Sequence, residues 1–269
     1  MALETQPPAR QSVPGRRLPA AARRAGDLIL ASAVLLTLWK LGALAVGKAI
    51  ILPAPEQVAA KFGELLGDAR FYRAVGATAL RGLSAFGLAM ILGSLSGFLA
   101  GLSRRFEGLL APALLVIRAT PVLAIILLAL IWFPAGFVPV FSAVIMAVPI
   151  VSAEVSAAVR SVDPKLVEMA RLFRASPARI NLEVRLPSAL PHFLAASRNA
   201  LGLAWKVVVA GEVMSQPPEA IGSGMQAARV MLETTEVFAW AAAGILLCAL
   251  SDGLFDLILQ TYNRQRRPD

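Results

Sequence analysis

Long apolar runs alternate with short polar segments along this chain. Six runs consist mainly of Leu, Ile, Val, Ala, Phe and Gly, and within each run the apolar residues are continuous rather than alternating. A helix needs roughly 20 apolar residues to cross about 30 Å of hydrocarbon, and only helices or closed barrels satisfy their backbone hydrogen bonds there. The continuous runs therefore predict six transmembrane helices, at residues 27–47, 80–102, 109–133, 136–159, 193–214 and 237–260.

The third run contains a predicted bend. Arg118 is followed closely by Pro121, and a proline cannot donate the backbone hydrogen bond that would continue a helix. We expect Leu109–Arg118 to lie along the membrane surface and the chain to turn inward from Val122.

The composition supports a membrane protein. Hydrophobic residues make up 57% of the 269 residues, charged residues make up 16%, and the mean hydropathy is +0.69. Soluble domains have roughly 45–50% apolar residues and about 25% charged residues. The expected fold class is therefore an all-α integral membrane protein.

Positive charge is concentrated on one predicted side of the membrane. Lys and Arg are frequent in both terminal tails and in the loops after the second and fourth runs, and scarce in the other loops. Such loops remain in the cytoplasm, so we expect both termini to be cytoplasmic and no binding of nucleic acid. The expected divisions are a basic, disordered tail at 1–26, a first transmembrane helix at 27–47, an external connection at 48–79, a core transmembrane domain at 80–262 and a basic tail at 263–269.

The sequence contains no arrangement typical of catalysis or metal binding. Cys248 and His192 are the only residues of their types, which excludes an internal disulfide and argues against a metal site. No nucleophile lies in a pattern with a base and a carboxylate. We therefore expect a protein that is not an enzyme and that holds neither a cofactor nor a metal.

The polar loop at 160–190 contains two helix-start signals. Asp163-Pro164 and Ser176-Pro177 each combine a residue that caps free helix N–H groups with a proline at the first helical position. They predict two short surface helices that meet at about Ala175, the second of which ends at Leu186-Pro187.

The first of these helices is amphipathic. An apolar stripe at spacings i, i+3, i+4 and i+7 consists of Leu166, Met169, Ala170 and Phe173. A charged edge consists of Lys165, Glu168, Arg171 and Arg174. Two interpretations of these residues remain open: the stripe rests on lipid headgroups, or it docks into a groove on a partner protein.

The same loop resembles the cytoplasmic loop of the permease subunits of binding-protein-dependent ABC importers. Their pattern is E-A-A-x-x-x-G, nine residues, then I-x-L-P. In this chain Glu168-Met169-Ala170 stands at E-A-A, and 184–187 (VRLP) stands at I-x-L-P with the spacing kept. Arg174 stands where the family has Gly, which permits the left-handed turn that ends the helix. We therefore expect the bend to move or vanish in this chain.

Four further segments are similar to the nitrate, sulfonate and taurine branch of these permeases. They are ILPAPEQV at 51–58, GLSRRFEGLLAPALLVIRATP at 101–121, RSVDPKLVEMAR at 160–171 and ALGLAWKVVVAGEVM at 200–214. Together with the loop, the resemblance covers the chain from about residue 50 onward.

The resemblance implies a six-helix type I ABC importer permease fold in the bacterial inner membrane, with a cytoplasmic coupling-helix loop at 160–190. The implied partners are a dimer of ABC ATPase subunits, a second permease subunit (a copy or a homologue) and an external solute-binding protein. The residues implied in coupling to the ATPase are Leu166, Glu168, Met169, Ala170, Arg171, Phe173 and Arg174, and those at the end of the motif are Val184, Leu186 and Pro187. The implied solute is an organosulfonate, taurine or nitrate, with a thiamine-precursor pyrimidine or another small nutrient as the alternative.

Ionisable residues inside apolar runs mark candidate positions along a solute pathway. Lys206 and Glu212 lie in the fifth run, and we hypothesise that Lys206 lines the pathway and favours anionic solutes. A salt bridge between helices, or a lysine that extends to the interface, is the alternative. We expect Arg81 at the outer interface, and Asp252 and Asp256 paired with basic residues near the inner face.

A different class of transporter also remains open. A secondary transporter or channel that is not driven by ATP would use ion sites in the membrane and broken helices, often with an inverted repeat. The sequence contains no convincing repeat, and such a transporter would have no use for the polar loop at 160–190.

Overall fold

The computed structural model describes residues 20–265, and every regular element in that range is helical. The all-α fold class is therefore confirmed. Most of the basic tail predicted at 1–26 lies outside the described residues, whereas residues 20–26 form the start of the first helix. In chain order the helices are α1 (Ala20–Val46), α2 (Pro55–Leu65), α3 (Ala69–Leu102), α4 (Arg104–Ala119), α5 (Val122–Trp132), α6 (Val138–Arg160), α7 (Pro164–Leu172), α8 (Pro177–Ile180), α9 (Leu186–Ser215), α10 (Ile221–Val230) and α11 (Thr234–Gln265).

Helices α1, α3, α6, α9 and α11 are long and apolar enough to cross a membrane, and α4 with α5 is a bent pair that is long and apolar enough to be a sixth crossing. The axes of α4 and α5 meet at 101° across Thr120 and Pro121. Helix α4 ends where the N–H of Thr120 donates to the carbonyl oxygens of Val116 and Ile117. The next residue, Pro121, has no N–H with which to continue the helix. The predicted break in the third run is thus confirmed.

The chain divides into two compact units, one up to Pro55 and one from Glu56 onward. In the first unit, α1 ends at Gly47, whose φ of +64° is a left-handed conformation that glycine adopts without strain. The indole Nε1 of Trp39 donates a hydrogen bond to the carbonyl oxygen of Pro53 at 3.0 Å, which folds the following turn back onto the helix.

In the second unit, the core is built by α3, α6 and α9. Glycines at every fourth position of α3 allow α6 to approach closely. A Cβ at Gly93 would lie 2.6 Å from the Cβ of Val151, a Cβ at Gly97 would overlap the carbonyl oxygen of Ser152, and Gly101 lies against α6 in the same way. Small residues at such spacing let two helix backbones pack directly in a membrane.

Helix α2 is joined to α11 by ion pairs. The ammonium of Lys61 lies 3.2 Å from the carboxylate of Glu64 on its own helix and 3.3 Å from that of Glu236 on α11. Hydrogen bonds to Glu64, and then to Glu236, raise the pKa of Lys61 above its ordinary value. This lysine therefore stays charged over the whole physiological pH range.

The second short helix predicted in the loop does not end at Leu186-Pro187, and that prediction is wrong. Helix α8 continues through a π-helical segment, Asn181–Arg185, directly into α9. The N–H of Leu186 bonds to the carbonyl oxygen of Asn181, one residue farther back than in an α-helix. Pro187 then falls in the first turn of the α-helical part, where its missing N–H is tolerated. Helix α8 and α9 are therefore one continuous helical body.

The glycine spacing on α3 leads to a stability prediction. We expect Gly97→Ala to lower the free energy of unfolding by about 1–3 kcal/mol, because its methyl group would overlap a backbone oxygen of α6 that cannot move alone. Thermal unfolding of the purified chain in detergent micelles measures the difference.

The matched control is Gly87→Ala on the same helix, where a Cβ has nothing within 4 Å. Since Ala favours the helix over Gly by about 1 kcal/mol, this variant should be neutral or stabilised. Equal effects of the two substitutions would contradict the proposed close packing of α3 against α6.

Candidate functional site

Helix α7 begins at the predicted position. The side chain of Asp163 accepts a hydrogen bond from the backbone N–H of Lys165 at 2.9 Å, and Pro164 follows in the first turn. Likewise Ser176 accepts from the N–H of Arg179 at 3.3 Å to start α8. Both predicted helix starts in the 160–190 loop are therefore confirmed, and they separate α7 from α8 by a short turn.

The turn that ends α7 is retained although Arg174 replaces glycine. Arg174 has φ of +56°, in the left-handed region. The N–H of Ala175 bonds to the carbonyl oxygen of Ala170 at 3.0 Å, and the N–H of Arg174 bonds to that of Arg171 at 2.9 Å. This is the double hydrogen bond of a Schellman motif. The expectation that the bend moves or vanishes is wrong, because these hydrogen bonds hold an arginine in a conformation that costs it about 1 kcal/mol.

The inner face of α7 packs on its own loop. Val167 is buried, and Ala170 and Ala175 lie partly buried against the same small apolar cluster, which also contains Val162, Ile180 and Val184. Contact between Ala170 and Ala175 is the apolar contact that usually accompanies a Schellman motif. Ala170 and Val184 therefore pack α7 and the π-helical segment before α9 against the same cluster.

The outer face of α7 exposes large apolar side chains. Phe173 is 82% exposed and Leu172 is 84% exposed, and Leu166 and Met169 are at least two-fifths exposed. Three members of the predicted apolar stripe thus point away from the protein, whereas the fourth, Ala170, faces inward. Single exposed apolar residues are ordinary, but four on one short helix form a patch that is typical of an interaction surface.

Glu168 lies at the edge of a basic cavity of about 470 Å³ between α7 and the ends of α3 and α6. Within residues 20–265, Glu168 forms no ion pair with the arginines that line this cavity. The arginines that line the cavity are Arg104, Arg160, Arg171 and Arg185.

Glu212 lies inside the second unit and is not exposed at all. Its carboxylate accepts hydrogen bonds from the hydroxyl of Thr78 at 2.9 Å and from the backbone N–H of Gly222 at 3.1 Å. It also accepts one from the guanidinium of Arg81 at 2.9 Å, which forms an ion pair. The carboxylate thus joins α3, α9 and the start of α10. That Glu212 borders a solute pathway stays a prediction, which this buried position does not favour.

Arg81 completes the connection to the turn before α10. Its guanidinium also donates to the carbonyl oxygens of Glu219 at 3.2 Å and Pro218 at 3.3 Å. The expectation placed Arg81 at the outer interface and missed its pairing with Glu212. The available signal was a pair of opposite charges in two different apolar runs.

Lys206 is exposed on α9 and forms no ion pair within the described part of the chain. The predicted pairing of Asp256 is confirmed by its contact with Arg198 at 2.8 Å. The predicted pairing of Asp252 is wrong, because within residues 20–265 it forms no ion pair, and its buried Oδ1 has no hydrogen-bond partner. Among residues 20–265, no group of three or more His, Cys, Asp or Glu residues could hold a metal ion.

Comparison with known proteins gives a family match and several relatives. The profile of the family described as binding-protein-dependent transport system inner membrane component matches residues 88–264. SsuC of Bacillus subtilis, a permease protein named for the transport of aliphatic sulfonates, is 32% identical over 88% of this chain and 85% of its own length. The taurine transport system permease protein TauC of Escherichia coli is 31% identical over 88% and 86%. The riboflavin transport system permease protein RibX of Chloroflexus aurantiacus is 32% identical over 81% of both chains.

Solved structures of permeases share the fold. A chain of the MetNI methionine ABC transporter in an inward-facing conformation matches with a TM-score of 0.61 and 18% identity, over 71% of this chain and 94% of that one. A chain of an amino acid ABC transporter matches with a TM-score of 0.58 and 21% identity, over 73% and 94%. The predicted permease fold is thereby confirmed.

The strained turn at Arg174 leads to a prediction. We expect Arg174→Gly to stabilise the end of α7 by about 1 kcal/mol, because glycine adopts positive φ without strain. Hydrogen exchange of the Ala175 amide, which reports the closing hydrogen bond, should become slower. The control Arg171→Gly, in the last turn of the same helix, should make that exchange faster. Faster exchange in Arg174→Gly would contradict the assignment.

The ion pair of Arg81 and Glu212 leads to a second prediction. Arg81→Met leaves a buried carboxylate without its counterion and should lower the free energy of unfolding by about 3–5 kcal/mol. The double variant Arg81→Met/Glu212→Met should lose much less than the sum of the two single variants. Thermal unfolding of the purified variants measures this cycle.

Arg73→Met is the control for the buried pair, because Arg73 pairs with Glu219 where both side chains are more than half exposed. Its removal should cost less than about 1 kcal/mol. Additive losses in the Arg81 and Glu212 cycle would show that the buried pair is not coupled.

Proposed function

The chain belongs to the family of binding-protein-dependent transport system inner membrane components, and we propose that its helix α7 receives the movement of an ATPase that drives import of a small sulfonate. The protein is a permease subunit of an ABC importer and a component of the inner membrane, and importers of this kind work with an ATPase and a binding protein. A secondary transporter or channel that is not driven by ATP is thereby set aside.

The observation that carries the coupling proposal is the exposed apolar face of α7. Phe173 and Leu172 are more than four-fifths exposed at the end of a helix whose other face is packed on its own loop. An amphipathic helix that presents such a face is typical of helix-in-groove recognition. Glu168 forms no ion pair within residues 20–265, and in this proposal it fixes the orientation of the docked helix through a basic group on the partner.

The 160–190 loop connects α7 to the membrane-spanning helix α9, so it can transmit a displacement of α7. The cluster around Val167 and Ile180 joins α7 to α8, and α8 runs through the π-helical segment Asn181–Arg185 into α9. A displacement of α7 therefore becomes a displacement of α9. ATP binding and release would shift the balance between inward-open and outward-open states through this connection, provided that the two states are close in energy.

The proposed assembly has two permease subunits around a central pathway, each with its own α7. The second subunit is another copy of this chain or a homologue, and a dimer of ATPase subunits lies below. We place both termini and the 160–190 loop in the cytoplasm, because the Lys- and Arg-rich segments lie on that side.

The proposed solute is an organosulfonate or taurine, and nitrate is the next anion to test. Relatives named for aliphatic sulfonates and taurine support this choice, and the exposed Lys206 in a membrane span suits an anion. The riboflavin permease is also 32% identical, over a smaller share of this chain, so a thiamine-precursor pyrimidine or another small nutrient is the comparison ligand. Lys206→Met should reduce the preference for anions if this residue borders the pathway.

The coupling proposal is tested by transport in proteoliposomes that contain the permease, its ATPase and its binding protein. We expect Phe173→Asp to abolish ATP-driven uptake, because it places a charge in the docking groove, and Glu168→Ala to reduce uptake strongly. Both variants should remain inserted and should still bind the external binding protein.

Met231→Asp is the matched control, since Met231 is 75% exposed at the end of a different helix, α10. This variant should retain co-purification with the ATPase. Normal ATP-driven uptake by Phe173→Asp would remove the docking role of α7 and would leave the alternative in which the helix rests on lipid headgroups.

A further inference from the structure

A separate cavity in the second unit combines two opposite charges that do not contact each other. It has a volume of about 520 Å³ and is lined by residues of α9, α10 and α11. This volume lies within the range of small-molecule sites in proteins. Most of its wall is apolar, and its polar members are Trp205, Lys206, Cys248 and Asp252.

The charged groups of this cavity have unused binding capacity. Among residues 20–265, neither Lys206 nor Asp252 takes part in an ion pair. The Oδ1 atom of Asp252 is buried without any hydrogen-bond partner. An unpaired charge within a span is costly, and such residues usually face water or a ligand. The two charges therefore favour a ligand that interacts with both.

Trp205 supplies a donor in the same wall. It is 3% exposed, and its six-membered ring packs against Gly82 of α3. The Nε1 atom lies on the opposite edge of the indole and is buried with no hydrogen-bond partner. A buried indole usually satisfies this group. Trp205 lines the cavity together with Lys206, its neighbour in sequence.

We propose that this cavity binds a small zwitterion that carries a sulfonate at one end and an ammonium at the other. The sulfonate accepts hydrogen bonds from Lys206 and from the Nε1–H of Trp205, and the ammonium donates to Asp252. The inference rests on the proposed function, since it takes a sulfonate as the transported solute. It adds that the permease itself selects amino-sulfonates over sulfonates that lack an amine.

Cys248 provides a reporter inside the cavity. It is the only cysteine of the chain, and it lies one helical turn before Asp252 on α11. The rate at which N-ethylmaleimide modifies Cys248 is measured by mass spectrometry of this chain in the permease–ATPase complex, in lipid nanodiscs. The probes are taurine, ethanesulfonate and ethylammonium.

We expect taurine to slow the modification of Cys248 several-fold and ethanesulfonate to slow it less. Asp252→Asn should weaken the apparent affinity for taurine about tenfold, to that for ethanesulfonate, through loss of one charge-assisted hydrogen bond. Lys206→Met should remove protection by both sulfonates, and Trp205→Phe should weaken both equally. Asp256→Asn, on the same helix but paired with Arg198, is the control and should leave protection unchanged.

Equal modification of Cys248 with and without taurine would overturn the proposal, as would equal protection by taurine in the wild type and in Asp252→Asn. Protection by ethylammonium as strong as that by taurine would also overturn it. Equilibrium binding of radiolabelled taurine to the same complexes gives the same comparison without the thiol. If the complete importer takes up sulfonate but the complex does not bind taurine, the proposed cavity site is wrong and the proposed function stands. If the complex binds taurine but the importer takes up no sulfonate, the proposed function is wrong and the cavity site stands.

Discussion

Helices in a membrane gain little by exchanging lipid contacts for protein contacts, so close packing and buried polar contacts have to hold this protein together. The second unit uses both. Glycines at 93, 97 and 101 bring α3 against α6, and the carboxylate of Glu212 joins α3, α9 and the start of α10. Helix α9, which these contacts hold in place, carries one wall of the cavity beside Lys206 and continues from the 160–190 loop.

The loop at 160–190 achieves its shape by a different means, because it is not held by glycine packing or by a buried ion pair. A few apolar residues, caps at Asp163 and Ser176 and the paired hydrogen bonds at Arg174 set the direction of α7. The outward face of that helix is left without a partner inside the second unit. Helix α7 thus has one face packed on its own loop and one exposed apolar face, as a docking surface for another protein requires.

The features that could be predicted from the sequence are local ones. The cap residues of α7 and the break before Val122 depend on a few neighbouring residues, and both were predictable. The left-handed turn at Arg174 was not, because the residue's own preference is overruled by hydrogen bonds from Ala175 and Arg174 back to α7. The pair of Arg81 and Glu212 joins residues far apart in the chain, and its only trace in the sequence is that each charge interrupts an apolar run.

Helix α8 continues through the π-helical segment into α9, so a rotation at the start of α9 displaces a residue of α9 in proportion to its distance from the pivot. Lys206 lies 20 residues beyond Leu186, which corresponds to roughly 30 Å along the helix axis. A tilt of only about 5° about Leu186 would then move the backbone at Lys206 by about 2.6 Å. A small rotation at the start of α9 is in this way magnified at Lys206, because the chain is helical over the whole distance between the two residues.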